Sequence, residues 1–472
     1  ACLKTDLLWH HNAKTNQAFI RSLTPYIIPT EIRNSITFID GLTNKLQMTN
    51  RDSHKQTIQD NGIMSREVLM RLYNLSSTFV TTNVSIGVVE LHGHKGFSNN
   101  DLETSQAYNG VNVNAILPNH IVGTNDSPDV ESELDVQVIY WAASNATLWY
   151  EDHDGGYNGW MFSWANDFMN RTDYPQVVSI SWGWNEVEQC LETNCVNETS
   201  RQYIDRTNIE LMKIVARGTT IVASAGDAGS PGRSNEHCAS SEGKDGWNHI
   251  NAIFPGSSPW VLSVGATFIV ASNSTNEFNY TTPICKNKVQ NRPCATGTVE
   301  HTTSFYRTGW TSGAGSSRWT PTPEWQSSTV KDYFRRNITF PDQIYFNRYG
   351  RFYPDVAVVG HLCPVYNQKS GWNLEDGTSC SSPIVAGIIT QLNNIQLSRG
   401  RSSLGFVNPL FYKMYEKSPY AFNDVTVGNS TCTISKCCGD QFGFVASDGW
   451  DAVSGLGTPN IGNMISFLME NS

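Results

Sequence analysis

The sequence predicts an α/β protein: a doubly wound, mostly parallel sheet with helices on both faces. Three observations predict it. Five short runs rich in β-branched residues, at 84–91, 176–182, 220–225, 260–264 and 354–359, are bounded by Gly, Pro or polar residues and read as buried strands. Stretches with helical spacing lie between them, and such alternation builds a parallel sheet covered on both sides. The composition, 39% hydrophobic and 16% charged over 472 residues, is that of a globular chain long enough for one large catalytic domain.

The elements follow in order. The first fifty residues hold a helical stretch and the apolar run Ile36–Leu42. A polar segment without periodicity follows, and residues 47–62 read as an exposed connector. Val84–Leu91 is the first buried strand of the large domain. A helix is expected over 131–146, with Leu134, Val138 and Trp141 spaced for a buried face. A second is expected over 201–217, with Ile204, Ile209, Leu211, Met212 and Val215 apolar and Gly218 as its stop. Residues 267–345 are polar and read as loops and short hairpins. A third helix starts near Ser379 and runs to about Leu397.

The formal net charge of −10 argues against a nucleic-acid partner, which needs a basic face. No apolar run approaches the roughly 18 residues that span a bilayer, so no membrane span is expected. No apolar h-region opens the chain, so any signal peptide is expected to be gone. Ten Asn-X-Ser/Thr sequons, at Asn74, Asn83, Asn125, Asn145, Asn170, Asn197, Asn273, Asn279, Asn337 and Asn429, imply a glycosylated surface and the secretory pathway. The 11 cysteines point the same way. Cys190 with Cys195, Cys285 with Cys294, and Cys432 near Cys437 and Cys438 read as short loop staples. No His stands beside them at zinc spacing. The odd count leaves a thiol over, and Cys380, entering an apolar helix, is the candidate.

Three segments carry chemistry. Gly377-Thr378-Ser379 precedes the apolar run Ile384–Thr390, which sets a serine at the positive end of a helix. An ordinary N-cap serine reads the same locally. The longer string Gly-Thr-Ser-X-Ser-X-Pro resembles the nucleophile segment of subtilisin-like proteases. Those need a helical His-Gly-Thr motif, and His92 and His94 read instead as a loop pair after a strand. Glu131 and Asp135, four apart, share a helix face. They are either dipole-favoured surface acids or a partly buried pair, in which repulsion leaves one protonated and the other free to act as a base. Glu133 points elsewhere. Asp227, in Ala223-Ser-Ala-Gly-Asp227, ends a strand at the edge where sites gather, though a turn Asp beside Gly fits too.

Together these segments, with Ser179–Gly183 and Phe254–Trp260, resemble the sedolisins, the serine-carboxyl peptidases, over roughly residues 60–465. The one departure is Ala225, where that family often has Ser. The resemblance implies a subtilisin-like fold and a Ser-Glu-Asp triad. Ser379 would be the nucleophile, Glu131 the general base and acid, Asp135 its orienting partner, and Asp227 a protonated oxyanion donor. It implies an acid-acting peptidase on peptides or unfolded proteins, removing tripeptides from free N-termini, with acid endopeptidase as the alternative. An inactive secreted glycoprotein on the same scaffold, or a His-dependent serine hydrolase, stands further off. Phe422–Thr426 and Ser447–Asp451 resemble the family's calcium-binding loop region. One structural Ca²⁺ would be held by the Asp424 and Asp451 side chains and the Val425, Ser447 and Gly449 carbonyls. Residues 1–46 resemble the end of the family's inhibitory prosegment, which leaves 63–472 as catalytic domain in a lysosomal, vacuolar or extracellular compartment.

Overall fold

The β-branched runs of the sequence become strands of one sheet. The computed structural model describes residues 7–11, 18–22, 63–75, 83–91, 93, 96–153, 160–193, 195, 197–238, 250–271 and 298–470. The chain divides into two units, 1–56 and 57–472. In the first, strands β1 (Leu7–His11) and β2 (Ala18–Ser22) form an antiparallel hairpin. The motifs expected at residues 28–42, and the connector up to residue 62, lie outside the described residues.

The main elements of the second unit are, in chain order, α1 (Arg66–Leu72), β3 (Ser85–Leu91), α2 (Asn99–Tyr108), β4 (Ile121–Val122), α3 (Val130–Val138), β5 (Thr147–His153), α4 (Trp160–Asn170), β6 (Val177–Ile180), α5 (Ser200–Ala216), β7 (Thr220–Ser224), β8 (Leu262–Ala271), β9 (Thr298–Thr302), α6 (Glu324–Tyr333), β10 (Val356–Val359), β11 (Cys363–Asn367), β12 (Gly371–Glu375) and α7 (Thr378–Ser398). The sheet runs β9–β8–β7–β6–β3–β5–β4, with β10 also on β8. All its pairings are parallel except β8 with β9. The doubly wound expectation is therefore met. The C-terminal ends of β3, β6 and β7 carry Glu90, Ser181 and Asp227, the edge at which such sheets build sites.

One face of the sheet is covered by α1, α3 and α7, the other by α4 and α5. α4 buries Trp160, Trp164 and Phe168, a one-sided stripe at i, i+4, i+8. α5 opens with a capping box, Thr199 and Gln202 satisfying each other's amides, and stops at Gly218 with φ +104°. Tyr203, Ile204, Leu211, Ile214 and Val215 make its buried face, whereas Ile209 and Met212 are exposed. The apolar spacing of α5 therefore overstated its core by two residues.

α3 ends at Val138 and does not continue to 146. The chain beyond it tightens into i+3 turns, with Trp141, Ala143 and Ala146 amides donating to Val138, Tyr140 and Ala143 carbonyls. α7 packs closely on that turn. A Cβ added at Gly387 would lie 2.8 Å from the Ile139 carbonyl oxygen. α6 falls inside the stretch read as loops. Its buried face is largely polar, Gln326 donating to the Phe352 carbonyl and accepting from the Phe352 amide, so it left no apolar period to read.

Candidate active site

Ser379 is the second residue of α7 and is 8% exposed. Gly377 turns the chain into the helix at φ +146°, where a side chain is strained, and its amide donates to the Gly360 carbonyl at 3.0 Å. Pro383 stands four residues after Ser379 and has no N–H to give the Ser379 carbonyl. The Ser181 hydroxyl, just past β6, takes that place at 3.4 Å. The proline that completes the sequence motif thus frees one backbone acceptor, and the sheet edge fills it.

Asp227 is tied to the same turn. Its Oδ1 accepts from the Thr378 amide and hydroxyl, each at 2.8 Å, while the Gly226 amide donates to that hydroxyl at 3.2 Å. Oδ2 faces Gly377, where an added Cβ would lie 3.3 Å away. The opposite wall is close. A Cβ on Gly313 would sit 1.9 Å from the Ala225 carbonyl oxygen.

The carboxyl pair lies on α3. Asp129 caps the helix, its Oδ1 accepting from the Glu131 and Ser132 amides at 3.1 Å. Glu131 is half-buried and Asp135 fully buried. Burial holds the Asp135 carboxyl well above its usual range, Glu131 and Asp129 add to the rise, and the Ser181 hydroxyl opposes it. Ser181 therefore faces both Asp135 and the Ser379 carbonyl, which brings the acid helix and the serine helix to one point.

Sequence reasoning missed Glu90. It lies in β3 among Val88, Val89 and Leu91 and is 2% exposed. Burial pushes its carboxyl well up, and Asp135, Glu131, Asp129 and Asp152 push it further. The signal was a lone carboxylate inside an apolar strand. Glu133, two residues from each member of the pair and so on another face of α3, is itself fully buried. It accepts from the Ser98 amide at 2.8 Å and the Gln137 side chain at 2.6 Å, and burial, with Asp101 adding to it, raises it to about 8. His92 and His94 lie outside the described residues.

Four disulfides are described: Cys190–Cys195, Cys238–Cys438, Cys363–Cys380 and Cys432–Cys437. Two of the expected staples form. Cys380 is not the free thiol; it meets Cys363, 17 residues away, because β11 returns to the start of α7. Cys285 and Cys294 lie outside the described residues. Seven of the eight described sequon asparagines are exposed and Asn429 is half-buried.

The residues expected around calcium are gathered. The Gly449 amide donates to Asp424 Oδ2 at 2.6 Å and the Ser447 amide to Asp451 Oδ2 at 3.0 Å, which clasps 424–425 against 447–451. Two carboxylates with loop carbonyls make the all-oxygen set a hard cation takes. Among the described residues no group of three or more His, Cys, Asp or Glu is placed to hold a metal, so the carbonyls would have to complete any shell. Among the described residues, no helix is long and apolar enough to cross a membrane.

Comparison with known proteins gives a consistent neighbourhood. The profile of the subtilase family matches residues 92–399. Physarolisin of Physarum polycephalum is 37% identical over 474 residues, covering 99% of this chain and 79% of its own. Tripeptidyl-peptidase 1 of Homo sapiens is 28% identical over 479 residues, covering 98% of this chain and 76% of its own. Among solved structures, Pseudomonas sedolisin, a serine-carboxyl proteinase complexed with two molecules of pseudo-iodotyrostatin, superposes with a TM-score of 0.63 at 21% identity. That match covers 88% of this chain and 100% of the other, and at that identity it speaks to the fold.

Proposed function

This chain belongs to the sedolisin family of serine-carboxyl peptidases, within the subtilases, and on that premise we propose that Ser379, Glu131, Asp135 and Asp227 perform its peptide hydrolysis. The observation that carries the reading is Ser181, whose hydroxyl meets the Ser379 carbonyl and faces the Asp135 carboxyl. In the proposed cycle Ser379 Oγ attacks the scissile carbonyl and Glu131 accepts its proton. Asp227, protonated, donates to the oxyanion, with its Oδ1 steadied by Thr378. Glu131 returns the proton to the leaving amine, and water then cleaves the acyl-enzyme by the same route. Asp135 and Glu90, pushed toward their neutral forms by burial, would orient Glu131 and moderate its charge. A carboxylate base with a reference value of about 4.3 stays competent in acid, where histidine at about 6.5 is protonated.

For substrate, the likeness to tripeptidyl-peptidase 1 favours release of tripeptides from free N-termini, with endopeptidase action as the second reading. The test incubates free and N-acetylated peptides with the enzyme at about pH 4 and identifies products by mass. Tripeptides from the free peptides alone support the exopeptidase. Internal cleavage of both overturns it in favour of the endopeptidase.

The proposal extends to one structural Ca²⁺ on Asp424, Asp451 and the carbonyls of Val425, Ser447 and Gly449. The ion would brace the C-terminal loops and supply no step of the chemistry. Residues 1–46 are proposed as the tail of an inhibitory prosegment, 47–62 as a connector and 63–472 as the catalytic domain, working in an acidic or extracellular compartment of the secretory route.

A further inference from the structure

We propose that the β11–β12 hairpin is a strut that sets the distance between the acid-bearing helix α3 and Ser379, so that Gln137 and the Cys363–Cys380 disulfide are positioning groups for catalysis. This rests on the assignment of Glu131 and Asp135 made above. At one end of the hairpin, fully buried Gln137, two residues past Asp135, grips a single residue. Its Nε2 donates to the Tyr366 carbonyl at 2.7 Å, and its Oε1 accepts from the Tyr366 amide at 2.8 Å. A side-chain amide bonded both ways fixes the strand against the helix along its length as well as across it. The same Nε2 also donates to Glu133 Oε2 at 2.6 Å, which holds the amide in one orientation.

At the other end the link is covalent. Cys363 begins β11, and Cys380 is the residue immediately after Ser379; both are fully buried. Between the two ends the strands are in full register, from Cys363 opposite Glu375 to Asn367 opposite Gly371. The hairpin is braced from the side as well. The Gln368 backbone N–H donates to Asp101 Oδ2 on α2 at 3.2 Å, and Trp372 lies between Tyr108 and Tyr366 at ring distances of 4.5 and 5.3 Å. A ladder gripped at Tyr366 by the acid helix and bonded at Cys363 to the nucleophile segment transmits position between them.

A disulfide can equally act as a plain staple that restrains the unfolded chain. The two roles separate in kinetics. A staple changes the unfolding midpoint and leaves kcat per folded molecule alone. A strut changes kcat with KM unmoved, because misplacing reacting groups by about 1 Å costs roughly a hundredfold in rate. Cys363→Ala/Cys380→Ala and Gln137→Met cut the two ends, and the triple variant cuts both. Each is made in the full chain, checked for folding by thermal unfolding, and assayed in acid on one peptide beside Glu131→Gln. The strut predicts a kcat loss of about 10- to 100-fold in each, KM within about twofold, and a triple variant no worse than the weaker parent. Unchanged kcat at both ends, or losses that multiply in the triple variant, overturns it. If the cysteine variant does not fold, Gln137→Met decides alone, and unchanged kcat there is refutation. A Glu131→Gln enzyme that stays active fails the catalytic assignment and the strut with it. An inactive Glu131→Gln beside fully active strut variants fails the strut alone.

Discussion

Replacing Glu133 with glutamine should remove part of the fold's preference for acid. Glu133 is fully buried between α2, α3 and the β11–β12 hairpin, with Asp101 beside it. Its carboxyl is raised from 4.5 to about 8, first by burial. The folded-state value lies above the unfolded one. The stability it gives is therefore full below about 4.5 and is lost as pH rises through about 8. At 1.36 kcal/mol per unit, a rise of that size is worth at most about 5 kcal/mol across the window. Glutamine does not titrate, but its NH₂ cannot accept, so one of the two bonds Glu133 receives, from the Ser98 amide or the Gln137 side chain, is lost at every pH. Glu133→Gln should therefore lie below the parent near pH 4, by about 1–3 kcal/mol for the lost acceptor, and gain on it increasingly towards pH 8. The assay is urea unfolding at a series of pH values, read as midpoint and slope. Glu90 and Asp135 titrate with the same sign, so the variant should flatten the parent's decline without abolishing it. Parallel declines for the two proteins would refute the reasoning.

Four further outcomes follow. Asp227→Ala should cost about 10²- to 10³-fold in kcat, while Asp227→Asn, which keeps an acceptor for Thr378 and carries a permanent donor, should retain more activity; kcat of the two variants on one peptide decides this. Gly313→Ala forces the Ala225 carbonyl to move, so both the unfolding midpoint and kcat should fall, stability by about 1–3 kcal/mol. Arg351→Met leaves buried Asp355 without its 2.5 Å partner and should cost about 3–5 kcal/mol in urea unfolding. Chelation of divalent ions should lower the unfolding temperature and Ca²⁺ should restore it; an unchanged midpoint counts against the Asp424–Asp451 site.

The parallel sheet was legible because its strands are short, β-branched and punctuated by Gly and Pro. Ser379 was legible for a related reason, since the turn into a buried helix needs glycine at 377 and the helix needs its apolar run. What stayed hidden depends on neighbours distant in sequence. Glu90 read as one residue of a buried strand, and its meaning comes from carboxyls 39 to 62 residues further on. Glu133 read as pointing away from Glu131 and Asp135, but burial at a three-element junction sets its chemistry. Cys380 read as a small apolar filler because its partner, 17 residues earlier, sits in a hairpin that local spacing did not announce. Helix α6 was missed because side-chain hydrogen bonds bury its inner face where apolar packing would have left a period.

The most direct test of a serine driven by carboxyl groups is kcat/KM against pH for the parent enzyme and for Glu131→Gln on the same peptide. The account predicts a bell confined to acid pH for the parent and a loss of at least about a thousandfold at every pH for the variant. A parent optimum near neutrality, or a Glu131→Gln enzyme within tenfold of the parent, would contradict it.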